Sequence, residues 1–237
     1  MNNRFWRTVL PFATCLAWGV VSAAPVAAGF SGPMIKALLG GYGLTQDTGL
    51  VQPDLQPSME NRWSTIASLA VLLEKNRFAA GIEGSTEFFT DVSVGPEFGV
   101  GAQTFSIQSI QILAVGEWRP GSSSNGELQN TQPFVGLGLG WNFNRSVAKL
   151  EWPQFAPDGA ATNLELEDSP ALRVVGGIYQ RIRSLYLVGE VGWSLNTNAF
   201  RMTINNRPDR TGDYNLSGVF VAVGVGMVFG KGSNGDQ

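Results

Sequence analysis

From residue 34 onward the chain alternates between two textures: runs of about ten residues with an apolar side chain at every second position, and polar connectors between them. The clearest run is 132–143, QPFVGLGLGWNF, with Val135, Leu137, Leu139, Trp141 and Phe143 on one face. Phe134, Gly136, Gly138, Gly140 and Asn142 fall on the other. A helix would repeat its apolar residues every third or fourth position, so this pattern predicts a strand. Run 184–196 sets Leu185, Leu187, Val191, Trp193 and Leu195 against Tyr186, Val188, Glu190, Gly192, Ser194 and Asn196. Run 216–229 sets Val219, Val221, Val223, Val225, Met227 and Phe229 against Gly218, Ala222, Gly224 and Gly226. Run 172–180 is shorter and places Arg173, Val175 and Tyr179 opposite Leu172, Val174 and Ile178.

Four earlier runs complete a set of eight. In 34–44, Lys36 and Tyr42 oppose Ile35, Ala37 and Leu39. In 62–73, Ser64, Ser68 and Ala70 oppose Trp63, Ala67, Leu69, Val71 and Leu73. In 77–88, Gly81, Glu83, Ser85 and Glu87 oppose Phe78, Ala80, Ile82 and Phe88. In 105–118, Ser109, Gln111 and Glu117 mark a polar face, but apolar residues occur on both faces, which a β-bulge would explain.

Glu74-Lys75-Asn76 and Arg181-Ile182-Arg183 are short connectors, and 119–131 is intermediate. Those at 45–61, 89–104, 144–171 and 197–215 are long. Long connectors follow the odd runs and shorter ones the even runs, so the two kinds gather at opposite ends of an up-and-down barrel. Short periplasmic turns and longer external loops are the habit of outer-membrane barrels. The expected fold is all-β: an eight-stranded antiparallel up-and-down transmembrane β-barrel within 34–229, followed by a polar tail, 230–237.

A soluble barrel with a ligand-sized interior would show the same alternation. Bulk favours the membrane. One face carries Leu, Val, Phe and Trp, while the other is crowded with Gly, Ala and Ser, which suit a narrow interior better than a solvated outer wall. Lys36, Glu83, Glu87, Glu117, Arg173 and Glu190 fall on that second face. An unpaired buried ion is costly, so an internal salt-bridge network is expected, with Arg77, Arg119 and Arg181 at strand ends as further counter-charges. The competing reading leaves several of these groups solvated at the rims. Trp63, Trp118, Trp141 and Trp193 are candidates for interfacial girdles. Eight strands leave an interior about wide enough for side chains alone, so a wide diffusion pore is not expected.

Composition sharpens the setting. Charged residues are only 15% of the chain and Gly is abundant, at 30 of 237 residues, while no stretch after the N-terminal segment is apolar for long enough to make a membrane-spanning helix. Residues 1–24 read as a signal peptide: Arg4 and Arg7, an apolar core over 9–21, then Ser22, Ala23 and Ala24. Its removal leaves 14 of the 16 basic residues against 19 acidic ones, which gives no reason to expect nucleic acid as a partner. Cys15, the single cysteine, lies within that segment, so residues 25–237 can form neither a disulfide nor a thiolate metal site.

The GLGLGW and VGEVGW strands and the closing segment VFVAVGVGMVF together resemble the small outer-membrane barrels of the OmpA/OmpX type. The resemblance implies outer-membrane lipid and lipopolysaccharide as surroundings and the barrel assembly machinery as a partner during biogenesis. Phe229 stands where such proteins carry the terminal aromatic of the last strand, here followed by GKGSNGDQ. No cofactor is expected.

Catalysis is largely excluded by inventory. The chain has no histidine, which removes Ser-His-Asp chemistry and imidazole metal sites. Glu83 and Glu87 share a face but stand about 13 Å apart along a strand, too far for a glycosidase pair. The glycines of GLGLGW lie inside a strand and not at a strand-to-helix turn, so they do not read as a nucleotide loop. A structural or surface-interaction role through external loops, among them the loop with Trp152, Pro153, Phe155 and Pro157, is the leading expectation. Alternatives are a narrow channel for small hydrophobic or ionic solutes, as in the OmpW group, lined by Tyr42, Phe134, Tyr179, Tyr186 and Phe220, and a soluble periplasmic ligand-binding barrel.

Overall fold

The structure is a computed structural model that describes residues 32–45, 63–94, 103–120, 130–148, 161–206 and 208–229. The signal segment 1–24, the side chain of Trp63, the loop residues Trp152 to Pro157 and the tail 230–237 lie outside them.

Eleven strands occur among the described residues: β1 (Pro33–Leu44), β2 (Trp63–Lys75), β3 (Phe78–Val94), β4 (Gln103–Trp118), β5 (Thr131–Ala148), β6 (Ala161–Leu166), β7 (Ser169–Ile182), β8 (Leu185–Leu195), β9 (Thr197–Ile204), β10 (Arg210–Asn215) and β11 (Gly218–Val228). Eight of them close into an antiparallel barrel in the order β1-β11-β8-β7-β5-β4-β3-β2. Each chain-consecutive pair in this barrel is adjacent, and β1 zips to β11 to remove the last free edge. At the short-connector end the β2–β3 and β7–β8 hairpins turn through Asn76 and Arg183 with φ of 55° and 58°. Left-handed residues supply the twist that a tight hairpin needs.

The register fixes the shape. Along the row of outward positions, Arg145 pairs with Gln108, Gln108 with Phe88, Phe88 with Thr65 and Thr65 with Gly41. The row continues through Val221, Val191 and Gly176 and re-enters β5 at Val135, ten residues from its start. An offset of ten over eight strands tilts the strands by about 40° and gives a backbone radius of about 8 Å. At that tilt the outward apolar residues of a strand, such as Pro133 through Phe143 of β5, climb about 25 Å, the height of an outer-membrane apolar band.

Side chains sort by parity. Leu39, Val135, Leu137, Leu139, Val191, Val221, Val223 and Val225 are exposed on the outer wall. Met34, Leu72, Leu113, Phe134, Tyr179, Val188 and Phe220 are buried inside together with the charged residues. The bulge expected within 105–118 is not there. β4 alternates without a break, and the irregularity sits across from it in β3, between Phe89 and Val92. Apolar residues fall on both faces of β4 because Phe105, Ile107 and Leu113 are themselves interior residues.

The connectors 144–171 and 197–215 are not simple loops. β5 runs on to Ala148, and β6, β9 and β10 form a separate three-stranded sheet in the order β10-β9-β6. Its inner face, Leu164, Leu166, Phe200, Met202 and Tyr214, is buried in one cluster with Phe105 and Ile107 of β4. Its other face presents Asn163, Glu165, Arg201, Thr211 and Asp213 to solvent. The sheet stands at the long-connector end and extends one side of the wall beyond the apolar band.

Candidate functional site: the lumen and its external cap

The interior is stacked in three levels. Nearest the short turns, Arg119 follows the last residue of β4 and folds back into the lumen. Its Nη1 donates to Glu74, its Nη2 donates to Glu117 Oε2 at 2.7 Å, and Tyr179 OH donates to the same oxygen at 2.8 Å. Lys36 of β1 lies just above. Its Nζ donates to Glu117 Oε1 at 2.9 Å and to Glu190 Oε1 at 2.5 Å, which ties β1 to β4 and β8.

At the middle level Arg173 of β7 reaches across to β3. Its Nη1 pairs with Glu83, and its Nη2 donates to Ser85 Oγ at 2.8 Å and to Gln111 Oε1 at 2.6 Å. Glu87 lies 3.7 Å from Arg173 Nη2, beyond hydrogen-bond distance. Each cation also rests on a ring: Lys36 Nζ is 5.4 Å from the Phe134 centroid, and the Arg119 and Arg173 guanidinium carbons are 4.8 Å and 5.0 Å from those of Tyr179 and Phe220. Such contacts add attraction where water is excluded. Inward glycines make room for two of these rings. A Cβ on Gly177 would lie 2.5 Å from Phe134, and one on Gly192 would lie 2.7 Å from Phe220.

The level nearest the external end is neutral. Asn144 Nδ2 donates to Tyr214 OH at 2.6 Å, Asn196 Nδ2 donates to Ser109 Oγ at 2.9 Å, and Asn142 Nδ2 donates to Ser169 Oγ at 2.9 Å. Tyr214 OH donates to the Glu167 carbonyl at 2.6 Å, which joins the external sheet to this layer. Burial pushes the Tyr214 phenol up to about 12.

All six charged residues singled out from the sequence are therefore interior, in two groups: Lys36 with Glu117 and Glu190, and Arg173 with Glu83 and Glu87. Of the three strand-end arginines, only Arg119 enters; Arg77 and Arg181 are exposed. Glu74 was missed because it reads as part of a turn, whereas β2 continues to Lys75 and the parity of that strand turns Glu74 inward. Trp118 and Trp141 are both 44% exposed on the outer wall, Trp118 at the short-turn end and Trp141 toward the external end. Trp193 is half-buried on the same wall. Phe229 follows β11, is exposed, and its N–H donates to the Pro33 carbonyl at 2.8 Å. Among the described residues no cluster of acidic or sulfur ligands could hold a metal ion.

The architecture is that of a small eight-stranded outer-membrane β-barrel, and an apolar wall of this height suits the outer membrane. One solved structure shares it, and others are similar over most of their length. The outer membrane protein OprG from Pseudomonas aeruginosa aligns over 85% of this chain and 97% of its own, with a TM-score of 0.64 and 12% identity. Neisserial surface protein A aligns over 85% and 99%, with a TM-score of 0.49 and 13% identity. The outer membrane protein AlkL aligns over 90% and 97%, with 0.47 and 14%. At these identities the likeness is one of fold. No family model and no curated protein sequence matches the chain.

Proposed function

We propose that the chain is exported by way of residues 1–24 and serves in the outer membrane as a sealed anchor. It carries an external β-sheet for contact at the cell surface and performs no catalysis. The observation that carries this reading is the filling of the lumen. Buried ion pairs cross from wall to wall at two levels, and an amide and hydroxyl layer closes the external end. The external sheet has a packed inner face and a polar outer face, which makes it a rigid element suited to contact. Trp118 at one edge of the apolar wall and Trp141 and Trp193 toward the other fit interfacial girdles, and Trp63, the first residue of β2, belongs to the same proposal. Lipopolysaccharide around the external half, and recognition of the last strand and Phe229 by the assembly machinery, belong to the same proposal.

A soluble barrel would have to present Leu139, Val221 and Val223 to water as a continuous apolar surface, far beyond what soluble monomers expose. The channel reading relies on Tyr42, Phe134, Tyr179, Tyr186 and Phe220 as a lining, and all five are buried by packing. Single-channel recording from the purified chain in planar bilayers tests the proposal. The sealed anchor gives no conductance steps, and reproducible steps would overturn it.

A further inference from the structure

At the external edge of the apolar wall the outward row changes chemistry across three adjacent strands. Phe88 of β3, Gln108 of β4 and Arg145 of β5 are successive partners in the barrel register. Gln108 Nε2 donates one hydrogen to Thr86 Oγ1 at 3.2 Å on the outer wall, which leaves its second N–H for an acceptor outside the barrel. Below this corner the wall is apolar, with Ile110, Ile112, Trp141 and Phe143.

Arg145 is the one basic side chain on the outer face of the barrel strands at this end, among the described residues. Its side chain is 62% exposed. Nη1 donates to the Asn144 carbonyl at 2.7 Å and to Asp168 Oδ1 at 3.2 Å, while Nε and Nη2 have no partner among the described residues. An exposed ion pair contributes little, so Asp168 is a weak competitor for a stronger anion. The planar guanidinium matches a phosphate two bonds at a time, and it stands where water gives way to hydrocarbon, so an anion there is poorly screened.

We propose that this corner binds the phosphate-bearing headgroup of an outer-leaflet lipid, with Arg145 and Gln108 on the phosphate and an acyl chain along Phe88, Ile110 and Phe143. The proposal rests on the membrane reading above. The apolar wall directly beneath the guanidinium is what commits the site to a lipid and not to free phosphate, since an acyl chain covers it and an inorganic ion does not.

The test uses the full-length chain folded in phosphate-free micelles and titrated with dihexanoyl phosphatidate, dihexanoyl glycerol and inorganic phosphate. Binding is read by native mass spectrometry, and folding by heat-modifiable mobility on gels. Phosphatidate is expected to bind more tightly than either other probe. Arg145→Ala is expected to weaken it about tenfold, the value of a charge-assisted hydrogen bond. Asp168→Asn removes the competing charge and is expected to tighten it. Equal affinity in Arg145→Ala, weaker binding in Asp168→Asn, or inorganic phosphate binding as tightly as the lipid would each overturn the proposal. A wild-type chain that never gives the heat-modifiable band would instead overturn the membrane reading itself, and this site with it.

Discussion

Replacing Lys36 with alanine removes the cation that joins β1 to β4 and β8. Glu117 keeps Arg119 and Tyr179 as partners. Glu190, in contrast, has Lys36 as its one hydrogen-bond partner among the described residues and would be left without a cation in a sealed lumen. Removing one member of a buried pair costs about 3–5 kcal/mol, a large share of the stability of a domain this size. Much of that penalty comes from the stranded carboxylate and not from a lost attraction. Glu190→Gln in the Lys36→Ala background should therefore recover about 2 kcal/mol, and the apolar pair Lys36→Met with Glu190→Leu should be close to wild type. Equilibrium urea unfolding in lipid vesicles, followed by tryptophan fluorescence, reads all four proteins. If Lys36→Ala shifts stability by less than about 0.5 kcal/mol, as a surface substitution would, the lumen is solvated and the cross-wall network is not what holds it.

Gly192→Ala drives a methyl group into the Phe220 ring and the Val174 carbonyl, and should cost about 1–3 kcal/mol in the same assay, whereas Gly189→Ala, whose methyl would meet the Ile178 side chain at an ordinary 3.8 Å, should be near neutral. The Tyr214 phenol is held protonated in the folded state up to about 12, above its ordinary value near 10. Between these values the unfolded chain loses this proton and the folded chain does not, so stability falls as pH rises across that window. Tyr214→Phe should remove that part of the fall, as read by unfolding at pH 9 and pH 11.5. Trp118 and Trp141 should both be quenched by brominated lipids, Trp118 most strongly by label in the inner leaflet and Trp141 by label in the outer; quenching of neither would contradict the outward placement of the wall.

The barrel was legible because its signal is local. Period-two alternation in 132–143 and 216–229 states which residues share a face, and the spacing of connectors states which end they occupy. Parity alone carries Lys36, Glu83, Glu87, Glu117, Arg173 and Glu190 to the interior. The choice of partner was not legible, because it depends on the offset around the circuit, which no single strand encodes. Arg119 illustrates this: its range of contacts, from Glu74 to Tyr179, follows from how the circuit brings inward residues of β2, β4 and β7, strands that are not neighbours, together inside the lumen. The external sheet was readable in part. Phe200, Met202 and Ile204 alternate in β9, but β6 and β10 are only six residues each and carry few apolar positions, so they pass for loop. In 105–118, interior Phe105, Ile107 and Leu113 blurred the polar face, because a lumen closed by a packed cluster accepts apolar side chains as readily as polar ones.

In this fold the odd-numbered positions of β5 face lipid while the even-numbered ones fill the interior. Single cysteines placed in turn at 134–141, in a chain whose Cys15 is removed with the N-terminal segment, and carrying spin labels in vesicles, report this position by position. The account predicts high oxygen accessibility at 135, 137, 139 and 141 and low accessibility to both oxygen and a water-soluble nickel reagent at 134, 136, 138 and 140. Nickel accessibility at the odd positions, or no two-residue period at all, would contradict it.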